Sequence, residues 1–286
     1  MVEFDHGASV DAVRSYFDAL ADGEWERLSA DLPGRVSFEV HRRFQAQFVE
    51  PGMRVLEVGA GPGRFTIELA SLGARVAVTD ISPVQLDLNR RHVTEAGHEA
   101  SVESRAVLDI CDLSRYADKD FDAVVAYGGP LSYAFDRVEQ ALAGLLRVTR
   151  PGGPVMASVM STLGAYRHLL TDVVGLADFH GDDFTDRVLL TGDLREAQPP
   201  GTGQHTCRMF RSGEMEALVA GAGGRMLAGS ASNWISLGDP AAMTRLADDP
   251  ERWERFLRNE VAVCRERGVW DGGTHFLFAT SHQPPS

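Results

Sequence analysis

Cysteine is scarce in this 286-residue chain: Cys111, Cys207 and Cys264, no two of them close together. Three scattered thiols are too few for a disulfide framework or a zinc cluster, so free thiols in a reducing cytoplasm and no bound metal are expected. Lysine is rarer still, with Lys119 alone, and arginine fills the other basic positions. Together with the abundant alanine and glycine, that reads as coding bias and not as chemistry. Basic charge as a whole is short, 28 Lys plus Arg against 41 Asp plus Glu, for a formal net charge of −13. Such a balance repels a phosphate backbone and an anionic membrane surface alike, so neither a nucleic-acid nor a membrane partner is expected. No run approaches the ~20 apolar residues that span a bilayer. The first twenty residues carry no basic start followed by an apolar stretch, and a cytoplasmic location is the expectation.

What is present suits a folded enzyme-sized domain. The 44% hydrophobic content can furnish one large core, or a core domain with an inserted cap. No internal repeat appears. Residues 1–50 read as a helical lid, with Val13, Phe17 and Leu20 at helical spacing and Ser9 or Asp11 as cap. A second amphipathic run aligns Phe38, His41, Phe44, Gln45 and Phe48 before Pro51-Gly52 breaks it. From there strand and helix alternate. Strands are expected at 53–58, 74–80, 101–107, 121–127 and 153–159, with helices at 64–72, 82–97 (Ser82 as cap, Pro83 first) and 139–149. Residues 51–160 would thus form a parallel α/β core with right-handed crossovers. The alternation lapses over 161–206, read as a cap with one helix in His168–Phe179, placed over the carboxyl edge where open α/β folds bind ligands. Residues 207–286 complete the sheet with strands at 225–230 and 274–280, a helix at 212–223 and an added amphipathic helix between the strands.

The strongest local signal is Val55-Leu-Glu-Val-Gly-Ala-Gly-Pro-Gly-Arg-Phe65, a strand that enters a glycine turn and leaves as a helix. A dinucleotide turn needs G-x-G-x-x-G; counted from Gly59 the third position is Arg64, and that pattern fails. Glu57 stands two residues before the first glycine. An acid facing the turn would attract an ammonium and a sulfonium and repel a pyrophosphate.

The segment E-V-G-A-G-P-G resembles the first motif of class I S-adenosylmethionine-dependent methyltransferases, and further motifs follow in order. Asp80 ends the second strand, LDICDL (108–113) and FDAVVAYGGPLSY (121–133) resemble the third and fourth motif regions, and Arg150-Pro-Gly-Gly153 precedes the fifth strand. The resemblance covers about residues 38–160. It implies a Rossmann-like, seven-stranded, mostly parallel sheet with a helical N-terminal lid and a cap insertion after strand five. It also implies S-adenosylmethionine as methyl donor and S-adenosylhomocysteine as product. The site residues it implies are Glu57, Gly59, Ala60 and Gly61 for the methionine portion and Asp80 for the ribose, with Ile81 also among the cofactor-binding residues. Asp109 would take the adenine amino group, with Asp112 competing, and Ile110 would pack on the ring. Tyr127 and Gly128 would border the reacting methyl, Tyr16 would close over it, and Gln85 would touch the adenosine edge.

The acceptor is less legible. An alcohol or phenol needs a base of near-neutral pKa, for which His205 and His275 lead, ahead of His168 and His180; His41 would line the cleft entrance. Within the cap, Tyr166, Phe179, Phe184 and Met209 are candidates to stack on a planar substrate. Asp178, Asp182, Asp183 and Asp186 are candidates to attract a cationic one. The expected activity is methyl transfer to an O or N atom of a small molecule, with specialised biosynthesis as its setting, by a monomer or homodimer. The alternatives are an RNA or protein methyltransferase, a nicotinamide-dependent oxidoreductase, or a non-catalytic partner subunit that binds the same nucleoside.

Overall fold

The structure, a computed structural model, describes residues 6–197 and 206–283. Seven strands form one sheet: β1 (Arg54–Val58), β2 (Arg75–Asp80), β3 (Val102–Val107), β4 (Ala123–Ala126), β5 (Val155–Met160), β6 (Gly224–Ala231) and β7 (His275–His282). Their order is β3-β2-β1-β4-β5-β7-β6. The first five pair in parallel, and β7 runs antiparallel to both of its neighbours. Strand order reverses between β1 and β4, which opens a crevice at their carboxyl ends.

The central strands are apolar on both faces because helices cover both. Alternate residues feed two cores. Leu56, Val124, Val155 and Phe276 meet Leu142 and Leu145 on one side. Val55, Val76, Val125 and Leu277 meet Val40, Phe44 and Leu69 on the other.

Ahead of the sheet lie α1 (His6–Leu20), α2 (Gly23–Arg27) and α3 (Leu32–Gln45). Among the described residues α1 is helical from His6, so Ser9 and Asp11 lie within the helix rather than ahead of it. The apolar stripe read on α3 is buried at His41, Phe44 and Gln45, so this helix belongs to the core layer. Crossover helices α4 (Arg64–Ser71), α5 (Pro83–Glu95) and α6 (Val138–Val148) fall where the sequence placed them, and Ser82 Oγ accepts from Gln85 N, capping α5. The cap holds three helices where one was expected: α7 (Thr162–His168), α8 (Leu170–His180) and α9 (Asp182–Thr191). After it come α10 (Ser212–Gly221), α11 (Pro240–Ala247) and α12 (Pro250–Cys264). The unforeseen α11 carries a readable signature, with Asp239 capping and Pro240 at its first position. The three cysteines are buried and unbridged.

Gly192 ends α9 in the left-handed region, φ 70°, and donates its N–H to Val188 O. A Cβ there would overlap the Met209 carbonyl oxygen, and Met209 N donates to Gly192 O at 2.8 Å, so the cap meets the core backbone to backbone. Gly192→Ala combines that overlap with left-handed strain; it is expected to destabilise by on the order of 2 kcal/mol and lower the midpoint of thermal unfolding by several degrees. Differential scanning calorimetry checks this.

Candidate functional site

The cleft forms where strands β1, β2 and β4 end. Beyond β1 the chain turns through Gly59 (φ 70°), Gly61 (φ 53°) and Gly63 (φ 102°). A side chain on Gly59 would overlap the Pro130 ring, so the turn can lie against the loop after β4 only as glycine. Asp80, at the end of β2, fixes this turn from the side. Its Oδ2 accepts from Gly61 N and its Oδ1 from Ser82 N, both at 2.8 Å. Burial raises the Asp80 carboxyl to about 6 even though these backbone donors pull the other way.

Of the twelve residues the motifs assign to the nucleoside, nine line this cleft: Gly59, Ala60, Gly61, Asp80, Ile81, Asp109, Ile110, Tyr127 and Gly128. Asp112, the rival of Asp109, is exposed and engages Ser114 N outside the cleft. Tyr127 is buried, and its hydroxyl has no hydrogen-bond partner among the described residues.

The other three assignments need correction. Glu57 is buried behind the turn and absent from the cleft wall; its Oε2 accepts from Thr66 Oγ1 at 2.6 Å, and Asn89 Nδ2 donates to that same Thr66 oxygen. Burial raises its carboxyl to about 8, so it belongs to the foundation of the turn. Gln85 is buried as well, and its Nε2 donates to Phe17 O (2.9 Å) and Ala21 O (3.1 Å), fastening the end of α1 to α5. Tyr16 misses the cleft by about a hundred degrees of helix. It lines an adjoining cavity, while Phe17 borders both spaces.

The adjoining cavity, about 420 Å³, lies between α1, the loop after β4 and the cap, and it shares Phe17, Glu24, Arg27, Gly128 and Tyr133 with the cleft. Because β7 is antiparallel, its first residue, His275, falls at this same carboxyl edge and lines the cavity. The remaining histidines divide differently. His41 is buried behind the wall, donates through Nδ1 to Ser37 O (2.8 Å) in its neutral form, and packs on Phe65 and Tyr127. Burial lowers it to about 4, so it stays neutral and does not line the entrance. His168 is exposed at the end of α7, and His180 stacks on Phe184 inside the cap. His205 lies outside the described residues. Of the aromatic and sulfur candidates in the cap only Met209 lines the cavity. Phe184 is buried in the cap's own cluster, Tyr166 Oη donates to Thr185 O, and Phe179 is exposed. Asp178, Asp182, Asp183 and Asp186 are all exposed and form a solvated face away from the cavity wall.

Two residues on α2 that no motif pointed to prove central. Arg27 grips Glu24 through Nε–Oε2 (2.9 Å) and Nη2–Oε1 (2.6 Å), and both line cleft and cavity. An acid and a base three apart on a short polar helix read as a surface pair. Their role is set by tertiary placement. Arg64, the residue that broke the dinucleotide pattern, donates to Trp25 O (2.7 Å) and Ser29 Oγ (2.8 Å) and lies 4.2 Å over the Trp25 ring. Trp25 in turn packs on His92, whose Nδ1 is 2.8 Å from Pro62 O. This strap binds α2 down onto the glycine turn.

Comparison with known proteins agrees with the geometry. Residues 55–153 match a family model described as a methyltransferase domain. The chain is 30% identical over 171 residues to the tuberculostearic acid methyltransferase of Mycobacterium tuberculosis, covering 59% of this chain and 37% of that protein. It is 31% identical over 163 residues to the demethylmenaquinone methyltransferase of Renibacterium salmoninarum, covering 54% and 57%. Thus it spans well under two thirds of the length of these curated relatives. The magnesium protoporphyrin IX methyltransferase of Synechocystis, solved with S-adenosylhomocysteine, superposes with a TM-score of 0.61 at 14% identity, covering 95% of this chain and 98% of that one, which establishes the shared fold. With the motifs, the sheet order and the matched domain in agreement, residues 55–153 form a methyltransferase domain similar to that of the class I S-adenosylmethionine-dependent methyltransferases.

Proposed function

We propose that this protein transfers the methyl group of S-adenosylmethionine to an oxygen or nitrogen of a small molecule. The observation that carries the reading is the order of chemistry along the sheet edge. Because β3, β2, β1 and β4 are neighbours in that sequence, their carboxyl ends present Asp109 and Ile110, then Asp80, then the glycine turn, then Tyr127 and Gly128. An apolar slot, a buried carboxylate, and backbone without side chains beside the paired Arg27–Glu24 of α2 match a purine, a ribose diol and a zwitterionic amino-acid end in that order.

When bound, the sulfonium supplies a methyl carbon already activated for in-line substitution. The chain's residues then have to hold and align. Asp80 has lone pairs left on both oxygens after meeting Gly61 and Ser82, and these accept from the ribose hydroxyls. Arg27 is a cation that could take the cofactor carboxylate, Arg64 beside it being engaged with Trp25 and Ser29, and Glu24, whose Cγ would be 3.8 Å from a side chain on Gly61, is an acid that could take its ammonium. This pair takes over the role expected of Glu57. Gly128 separates cleft and cavity, so an acceptor in the cavity approaches the methyl carbon past a residue with no side chain. His275 is the base for an O–H acceptor, whereas an amine acceptor needs none.

Asp80→Asn keeps the size of the side chain but sets an amide N–H against one of two backbone donors and removes the charge. S-adenosylhomocysteine affinity is expected to fall tenfold or more by calorimetry, since a charge-assisted hydrogen bond contributes ~1.5–3 kcal/mol. An unchanged affinity in a folded variant removes Asp80 from the site. The same carboxyl sets a pH dependence: ionised above about 6 it accepts, and protonated below that value it loses acceptor capacity. Affinity in the wild type should therefore weaken between pH 7.5 and pH 5, and calorimetry at the two values checks it.

Arg27→Met is expected to weaken S-adenosylhomocysteine binding at least tenfold yet leave 5′-methylthioadenosine, which lacks the amino-acid end, within about twofold. Equal losses for both ligands would show that Arg27 serves the lid and not the carboxylate.

A further inference from the structure

The methyl acceptor can be narrowed by the chemistry of the cavity that adjoins the cleft, an argument that rests on the function proposed above. We infer that the acceptor is a neutral aromatic molecule of one or two rings whose nucleophile is a ring hydroxyl, a phenol, held with its hydroxyl towards His275.

The walls argue for a flat, apolar body. Tyr16, Phe17 and Tyr133 form an edge-to-face chain, with ring centroids 5.2 and 5.4 Å apart. Met160, Met209 and Cys207 line the same space. Aromatic edges and polarizable sulfur favour an aromatic guest. A volume of about 420 Å³ falls at the small end of the ligand-pocket range, enough for a fused bicycle but not for a macromolecular segment.

The charge pattern argues for a neutral one. Among the described residues, the Asp, Glu and Arg side chains on this wall are Glu24 and Arg27, paired with each other, and a zwitterionic cofactor end would leave that balance at zero. Burial pushes the Cys207 thiol up to about 12 and raises Tyr16 and Tyr133, so these groups stay protonated at neutral pH. Among the described residues, a carboxylate or phosphate on the acceptor would be desolvated opposite no spare cation, and an ammonium opposite no spare acid.

Beside the paired Glu24 and Arg27, His275 and Thr274 add polar groups to the cavity wall. The His275 ring is oriented by a hydroxyl chain that runs inward: Nδ1 is 3.4 Å from Thr274 Oγ1, which is 3.1 Å from Ser232 Oγ, and Ser232 Oγ donates to Asn233 Oδ1 at 3.1 Å. His275 N donates to Ser232 Oγ at 3.0 Å, tying strand and ring to the same buried hydroxyl. A positioned imidazole has work to do for a hydroxyl and none for a neutral aromatic amine. A ring lowers the hydroxyl pKa to the ~10 of a tyrosine-like phenol, within reach of a histidine base. The acceptor proton passes to a His275 nitrogen as the oxygen lone pair forms the bond to the methyl carbon. The carbon–sulfur bond breaks with its electrons returning to sulfur. The products are a methyl ether, the thioether S-adenosylhomocysteine and an imidazolium that releases its proton to water.

Three probes with one ring system test the inference: 2-naphthol, 2-naphthylamine and 2-naphthoate, titrated calorimetrically into protein saturated with S-adenosylhomocysteine at pH 7.5. The expected result is 2-naphthol binding at least tenfold tighter than 2-naphthoate. With S-adenosylmethionine, methyl transfer is expected to 2-naphthol and not to 2-naphthylamine. His275→Gln should lower that transfer at least a hundredfold while 2-naphthol affinity stays within threefold. Leu169→Lys, at the exposed rim of the cavity, should shift binding towards 2-naphthoate. Preference for 2-naphthoate in the wild type, transfer to the amine, or no 2-naphthol binding at millimolar concentration overturns the inference while the methyltransferase reading stands. A failure of S-adenosylhomocysteine to bind in the saturating step overturns that reading, and this inference with it.

Discussion

The Asp80 carboxylate bridges two backbone N–H groups, one on the glycine turn and one at the start of α5, and the site is organised around that bridge. Glycine turns are loose by nature, since each residue surrenders more backbone freedom on folding than any other. Here the looseness is removed from three sides. Asp80 pulls the turn towards β2, the Pro130 ring closes it from the loop after β4, and the Glu57–Thr66–Asn89 chain supports it from behind. The bridge buries a carboxylate against its preference for water, which is why its proton affinity rises.

The lid rests on this base through polar contacts. Gln85 and Ser82 of the α5 start hold α1 by its end and by Asp18, Arg14 reaches Ile81 O, and Arg64 with Trp25 clamps α2. Few of these contacts are apolar, so the lid is joined to the core by bonds that water can replace. The core beneath is different. One of its two apolar layers includes buried residues of both α3 and α12, so the element nearest the lid in sequence is among the more firmly packed.

Much of this was legible in the sequence, because periodicity and turn chemistry are local. Strand and helix alternation from Arg54 to Met160, the Ser82 cap and the position of Asp80 follow from patterns a few residues long. What stayed hidden depends on direction. The resemblance places Glu57 and Tyr16 at the nucleoside, yet pleat and helix rotation turn them away from the cleft. Gln85 looked like a ligand contact and serves as a structural tie. Glu24 and Arg27 look like any solvated ion pair until Arg64 fixes α2 over the turn. The cap hid two helices because its sequence is polar and α8 buries none of its residues, so apolar spacing had little to report.

A strand that runs backwards offers its first residue where its neighbours offer their last. Through that reversal β7 delivers His275 from the segment that precedes it, while the parallel strands deliver their contributions from segments that follow. The two inputs are therefore separable in evolution. Under the function proposed above, changes in the stretch leading into Thr274 would retune the acceptor without disturbing a residue proposed to hold the donor nucleoside.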